Sequence, residues 1–385
     1  MRKVAIIGAG LTKISRHWDK SLQQLFAEAL DKALASTKIS KADAIFVGNM
    51  CAQDLSRQNN LGALVADYSG HLPATSIRIE AACASAGAAI LTGYMAVASG
   101  LYDIVVAGGV EKLSEMNTKY VTEALGKASN VEYELFYGAS FVSLNALMMK
   151  LYMETYGVDR TPFAEFAVLM HKNASVNPYA QLPFEITLDK ALSSEYIAEP
   201  ISLYDCAPIG DGAAVLIMCP LEEARKYADS FVEVAGIASA TDTVDLASRD
   251  DILLLSSTKI AAEKAYKMAK IAPRDVDVVE IHDTFTIMGF VSLESLGVVE
   301  RGKTPKYVKE GVFEKDEDLP VNPSGGLKAS GHPVGATGAY QVAYLTLQLL
   351  DAAGKMQVPS PEYGLAQNLA GTASGSYITI LKRAR

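Results

Sequence analysis

The chain has 385 residues, a formal net charge of -9 and an apolar half. That length exceeds one simple core, so two or three lobes are expected, and ordinary Gly and Pro contents leave no large disordered region. The acidic balance excludes nucleic-acid binding by phosphate neutralisation and offers no polybasic strip for a membrane; a polyanionic ligand would need a local basic cluster.

Met1, Arg2 and Lys3 before an apolar run form a faint leader pattern, but the run is too short and polar Thr12 and Lys13 follow. Residues 4–8 are predicted as a buried strand ending at Gly8. Helical spacing covers 21–35, with Leu22, Leu25, Phe26, Ala29 and Leu30 on one face. Strands follow over 43–47 and 77–80, the second running straight into Cys83. The small, apolar stretch 81–98 reads as a buried helix, not a membrane span. A strand over 103–107 ends at Gly108 and Gly109.

The stretch 113–203 differs, with helical patterns over 144–156 and 163–174 and Pro-containing loops. It is expected to be an inserted cap over the first lobe, with Met148, Met149 and Met153 as core filler. A strand over 211–217 returns to the sheet. The second half then repeats the order of the first: a strand over 231–236, a helix over 258–270, a strand over 277–281, and a glycine-led helix after Gly335 that matches the one after Cys83. A strand over 377–381 closes the chain, and 310–318 is an acidic solvated loop. A duplicated α/β lobe is the expectation, with lobes over 1–229 and 230–385.

Four cysteines without a CxxC pair and five scattered histidines fit reduced thiols of a cytoplasmic protein and no metal site. Cys83 stands where a strand meets a helix. Unpaired N–H groups there are expected to lower its pKa; the alternative is an inert buried thiol. His332, between Gly331 and Pro333 on a stiff turn, is placed to serve a thiol as general base, unless it is merely a solvated loop residue. His282 follows a buried strand, at the end where open α/β sheets bind ligands; the alternative is a packed histidine satisfied by Asp283. The turn at Gly371 could aim amides at an oxyanion or be a plain turn. Gly8 and Gly10 form half of a dinucleotide fingerprint, but Lys13 stands at the third glycine position. That leaves a nicotinamide-dependent oxidoreductase as a weak rival.

The segments around Cys83, Asp211–Gly212–Ala213–Ala214, His282–Asp283–Thr284–Phe285 and Gly331–His332–Pro333 through Gly338 occur in an order that resembles the thiolase family over the whole chain. The resemblance is strongest to archaeal acetoacetyl-CoA thiolases and sterol-carrier-protein-type thiolases, which carry a histidine where His282 stands. It implies a five-layer αβαβα thiolase fold of two duplicated lobes with an inserted loop domain, in a homodimer or dimer of dimers. It implies that Cys83 is acylated, that His332 activates it, that His332 and His282 form one oxyanion site, and that the amides of Cys83 and Gly371 form another. Acetyl-CoA would be the substrate, with CoA released as product and no separate cofactor. The reaction would be condensation to acetoacetyl-CoA, feeding the mevalonate route in a complex with 3-hydroxy-3-methylglutaryl-CoA synthase, bridged by an OB-fold and zinc-ribbon scaffold protein. Two alternatives remain: a longer-chain or degradative 3-ketoacyl-CoA thiolase, and a weakly active thiolase-like scaffold. Many relatives place a second cysteine where Leu369 or Thr284 stands here. Cys51, Cys206 and Cys219 fall on no motif position and read as structural thiols, leaving His282 as the expected base for the α-carbon.

Overall fold

The computed structural model describes residues 2–384. Eleven strands are formed among these residues: β1 (Val4–Leu11), β2 (Ala44–Gly48), β3 (Thr75–Ile79), β4 (Val105–Glu111), β5 (Tyr196–Ala198), β6 (Ile201–Ser202), β7 (Gly212–Pro220), β8 (Val232–Thr241), β9 (Val278–Glu280), β10 (Tyr363–Ala370) and β11 (Gly375–Arg383). Nine lie side by side in the order β3-β2-β4-β7-β1-β8-β11-β10-β9.

This row is two sheets joined at their edges. β1 and β8 meet at two residue pairs, Ala5 opposite Glu233 and Ile6 opposite Val232. On one side β2 runs parallel to β3 and β4, and β4 is antiparallel to β7. On the other, β9 runs parallel to β10, and β10 is antiparallel to β11. Val279 of β9 forms a parallel bridge with Val321, where β3 has its counterpart. Each half therefore has the same strand order and the same directions, the repeat that the sequence order suggested.

Layering follows from which faces are apolar. The helix Leu22–Leu34 buries Leu25, Phe26 and Ala29 against Ile45, Val47, Val215 and Ile217 of the first sheet. The opposite face of that sheet shares a core with the helices Ser85–Ser99 and Thr337–Leu349 and with Val234 and Val278 of the second sheet. The helix Ser256–Ala269 closes the far side against Ile378 and Ile380. Helix, sheet, paired helices, sheet and helix give the expected five layers. Residues 82–99 have the length and apolarity of a membrane span, but they are mostly buried in the middle layer.

Gly8 and Gly10 lie inside β1. A Cβ at either position would come within 2.4 and 2.0 Å of the carbonyl oxygens of Ala33 and Ala29. The glycines let the helix Leu22–Leu34 press onto the strand, which explains the half-fingerprint without any dinucleotide.

The chain leaves the sheet between β4 and β7. Part of this stretch caps the first lobe as expected, with Val121 and Ala124 packing on Cys51 and Leu55, but the larger part packs on the second lobe instead. Its core is continuous with the outer layer of the second half: Phe163 stacks on Phe290 at 4.4 Å, and the Tyr152 hydroxyl donates to Glu294 at 2.5 Å. Insertion in one lobe and packing on the other clamp the two halves together. Met148 and Met149 are fully buried in this core.

Candidate active site

Cys83, His282, His332 and Gly371 line one cavity of about 230 Å³. Its opposite wall comes from the inserted segment: Thr118, Val121, Ser140, Phe141 and Asn145. Residues brought from four places in the chain thus share one cavity.

Cys83 ends the turn that follows β3. Ala82, just before it, has a φ of +51°, a conformation costly for a residue with a Cβ. Ser85 holds the turn, its hydroxyl accepting from the Ala81 N–H at 2.9 Å and donating to the Ala82 carbonyl at 2.6 Å. The helix Ser85–Ser99 begins two residues after the nucleophile candidate. The expected lowering of its pKa is not found. Burial, reinforced by the Glu111 carboxylate, pushes the Cys83 thiol up to about 12. Hydrogen bonds from the backbone N–H groups of Gly371 and Cys83 oppose the rise without cancelling it. A helix start stabilises charge, but desolvation at 8 % exposure outweighs it.

His332 sits beyond a wide helical turn over Gly326–Ser330, after Gly331 at φ +111°. Its Nδ1 lies 2.8 Å from Thr337 Oγ1. Burial lowers its pKa to about 3. A hydroxyl can donate or accept, so the ring can carry its proton on either nitrogen, and Nε2 is free to take one.

His282 differs in this respect. Its Nδ1 lies 3.1 Å from Asn368 Nδ2, which can only donate. The amide orientation is set by its other partners: Oδ1 accepts from the Gly87 N–H at 3.2 Å, and Nδ2 also donates to the Cys83 carbonyl at 3.3 Å. His282 is therefore held with its proton on Nε2. Burial, then the neighbouring His332, keep it neutral. The two imidazoles meet edge to face with centroids 5.2 Å apart. A neutral ring with Nε2–H is a hydrogen-bond donor; it cannot accept a proton at that atom. This geometry argues against His282 as the α-carbon base and favours an oxyanion donor.

Asp283 does not satisfy His282. Its Oδ1 accepts from the Leu327 N–H at 2.7 Å, tying the strand end to the loop that carries His332. Leu369 is fully buried in the second-half core, and Thr284 lines the cavity.

Four contributors escaped sequence reasoning. Asn368 stands three residues from Gly371, and only its three-way contact reveals its role. Thr337 lies in the glycine-rich loop already singled out. Glu111, fully buried, accepts from the backbone N–H groups of Met50, Cys51 and Gly335, and so joins the loop after β2 to the His332 loop. Burial raises its pKa to about 7. The fourth is Cys206, which lines the cavity although it was read as structural.

The family model of the thiolase N-terminal domain matches residues 4–222, and one described as thiolase C-terminal domain-like matches residues 238–383. The chain is similar to the acetyl-CoA acetyltransferase of Methanothermobacter thermautotrophicus, 44% identical over all of both chains. It is 41% identical to that of Methanocaldococcus jannaschii, again over all of both. Human sterol carrier protein 2 is 29% identical over 99% of this chain and 72% of its own. Among solved structures, the Ltp2-ChsH2(DUF35) aldolase matches with a TM-score of 0.84 at 23% identity, covering 100% of this chain and 98% of that one. Human mitochondrial 3-ketoacyl-CoA thiolase in complex with CoA matches with a TM-score of 0.78 at 17%, with the same coverages. These last two likenesses speak for the fold alone.

Proposed function

The chain belongs to the thiolase family and is an acyltransferase, and from that premise we propose that it condenses two molecules of acetyl-CoA to acetoacetyl-CoA and CoA through an acetyl-Cys83 intermediate. The observation that carries this reading is the convergence of Cys83, His332, the donor-fixed His282 and the Gly371 amide on one cavity. The full-length identity to archaeal acetyl-CoA acetyltransferases supports the choice of acyl group.

In this mechanism His332 takes the Cys83 proton as sulfur attacks the first thioester. The N–H groups of Cys83 and Gly371 receive the oxyanion of the acyl-enzyme carbonyl. The second acetyl-CoA loses an α-proton, and its enolate oxygen is held by His282 Nε2–H and His332. Attack on the acetyl group then releases Cys83. Because Cys83 rests as a thiol, the base is indispensable.

The uphill condensation calls for a consumer of its product. We place the enzyme in the cytoplasm as a homo-oligomer, at the start of the mevalonate route, in complex with 3-hydroxy-3-methylglutaryl-CoA synthase through a scaffold protein. Resemblance to archaeal thiolases supports this placement. The test of the chemistry is cleavage of acetoacetyl-CoA by the purified protein with free CoA. Two acetyl-CoA should form, and brief incubation with acetyl-CoA should leave an acetyl group on Cys83. An acetyl group on another cysteine, or a fully active Cys83→Ala variant, rejects the reading. Preference for longer 3-ketoacyl-CoA substrates would move it to a degradative thiolase.

A further inference from the structure

The proposed condensation needs a group that takes the α-proton, and three candidates fail. His282 is fixed as a donor by Asn368. Leu369 has no ionisable group and points into the core. Thr284 faces the cavity but carries only a hydroxyl, far too weak a base at neutral pH.

A second thiol occupies the same cavity. Cys206 is 78 residues from Thr284 in sequence and beside it in space. Cys206 forms an antiparallel bridge with Phe285, and the Ala207 N–H donates to the Thr284 carbonyl at 2.8 Å. Cys206, Ala207, Thr284 and Phe285 all line the cavity shared with Cys83 and His332. The short helical turn Leu203–Asp205, whose capping contacts run from Ser202 to Asp205, sets the position of Cys206. Behind it lies Lys328, 1% exposed, with Nζ 5.8 Å from the Tyr204 ring and 3.4 Å from His171 Nε2. The other two cysteines lack this placement: Cys51 and Cys219 are buried and line no part of this cavity.

We propose that Cys206 is the acid/base of the second half-reaction: its thiolate removes the α-proton of the incoming acetyl-CoA. The assignment rests on the acetyl-Cys83 chemistry proposed above. The proton count closes without any further reactant. In acylation His332 accepts the Cys83 proton, the bond from the acetyl carbon to Cys83 sulfur forms, and the thioester bond to CoA breaks. The departing CoA thiolate takes that proton from His332 and leaves as CoA, so acylation does not require Cys206. When the second acetyl-CoA enters, Cys206 passes its own proton to His332 in the shared cavity; burial and Asp205 raise the cost of the resulting thiolate, and Lys328 lowers it. Cys206 then takes the α-proton, and the enolate carbon bonds to the acetyl carbon. The Cys83–acetyl bond breaks, and His332 returns its proton to Cys83. All three groups end as they began. A thiol with a raised pKa, as burial gives Cys206, makes a strong base once ionised.

The experiment compares wild type, Cys206→Ala, Cys206→Ser and the double variant Cys206→Ala with Thr284→Cys. Two quantities are read: acetylation of Cys83 by mass spectrometry, and exchange of acetyl-CoA methyl protons in deuterated water. Both single variants should still carry an acetyl group on Cys83 and lose exchange by roughly 100-fold or more, the scale of general-base catalysis. The double variant, which returns a thiol to the adjoining residue, should recover at least roughly a tenth of the wild-type exchange rate. A merely structural Cys206 would not be replaced by a thiol on the adjoining loop. Exchange at the wild-type rate in Cys206→Ala or Cys206→Ser, or no recovery in the folded double variant, overturns the assignment. Failure of the wild-type protein to acetylate Cys83 would instead overturn the parent reading.

Discussion

Alkylation of Cys83 by iodoacetamide should be slow at neutral pH and should climb without a plateau to pH 10. An ordinary thiol near 8.5 is about one-quarter thiolate at pH 8, whereas a thiol at about 12 is roughly one part in 10,000. That alone slows Cys83 roughly 2,000-fold relative to a free thiol. A more basic thiolate is more nucleophilic, and a Brønsted slope near 0.45 over that difference returns roughly 40-fold. The net expectation is a rate about 50-fold below that of a free small thiol at pH 8, rising about tenfold per pH unit. Peptide mapping after timed alkylation isolates Cys83 from Cys51, Cys206 and Cys219, all of which burial also pushes up. A plateau below pH 8, or a rate above that of the free thiol, would show that the helix start and the two N–H groups outweigh desolvation. The reasoning about a resting thiol that depends on His332 would then be wrong.

Asn368→Leu keeps the side-chain shape but removes three buried hydrogen bonds, to Gly87, Cys83 and His282. It should cost about 3 kcal/mol of stability, seen in denaturant melts, and roughly 100-fold in condensation rate as His282 loses its fixed proton; full activity would refute the tautomer argument. Glu280, buried beside Ser324, has a pKa raised to about 8 in the fold. Its contribution to stability is complete below the unfolded value, near 4.3, and is lost as pH rises through 8, at up to about 1.4 kcal/mol per pH unit. The stability of Glu280→Gln relative to wild type should therefore improve between pH 5 and 8, and a constant difference would contradict the raised value. A native pull-down should recover 3-hydroxy-3-methylglutaryl-CoA synthase with this protein; recovery of a free homo-oligomer counts against the complex.

What could be read from the sequence was whatever depends on local pattern. The apolar stripe of residues 21–35 fixed its helix to within a residue at either end, and small residues around Cys83 marked the middle layer. Strand β10 has no clear apolar alternation because Gly364, Gln367 and Asn368 interrupt it; the Gln367 side chain accepts from the His282 N–H and donates to Thr258, and Asn368 holds the His282 ring. The glycine pair in β1 misled because a close helix–strand approach and a phosphate loop ask for the same residue. The sign of the Cys83 shift depends on burial by the inserted segment and on Glu111, neither of which has a signature near residue 83. Cys206 was dismissed for standing outside the motifs, since a bridge between residues 206 and 285 leaves no trace in spacing.

The duplication explains why the site lies where it does. Cys83 precedes the central helix of the first half, and His332 precedes the equivalent helix, Thr337–Leu349, of the second. The ends of β4 and β10, equivalent strands, supply Glu111 and the Asn368 to Gly371 turn. His282 follows β9, and the equivalent strand β2 is followed by Asn49, whose Nδ2 donates to Glu111 at 2.9 Å. Each half thus presents a helix start and two strand ends to a shared middle, as parallel strands dictate. In the first half this constellation builds support: Asn49 and Glu111 fix loops. In the second half the corresponding strand ends carry His282 and Asn368, which address the cavity. Two copies of one scaffold met face to face have given one copy the nucleophile and the other its proton-handling groups. On the proposed mechanism neither half could acylate and condense alone, because the Cys83 thiol and the His332 ring that line the one cavity belong to different repeats.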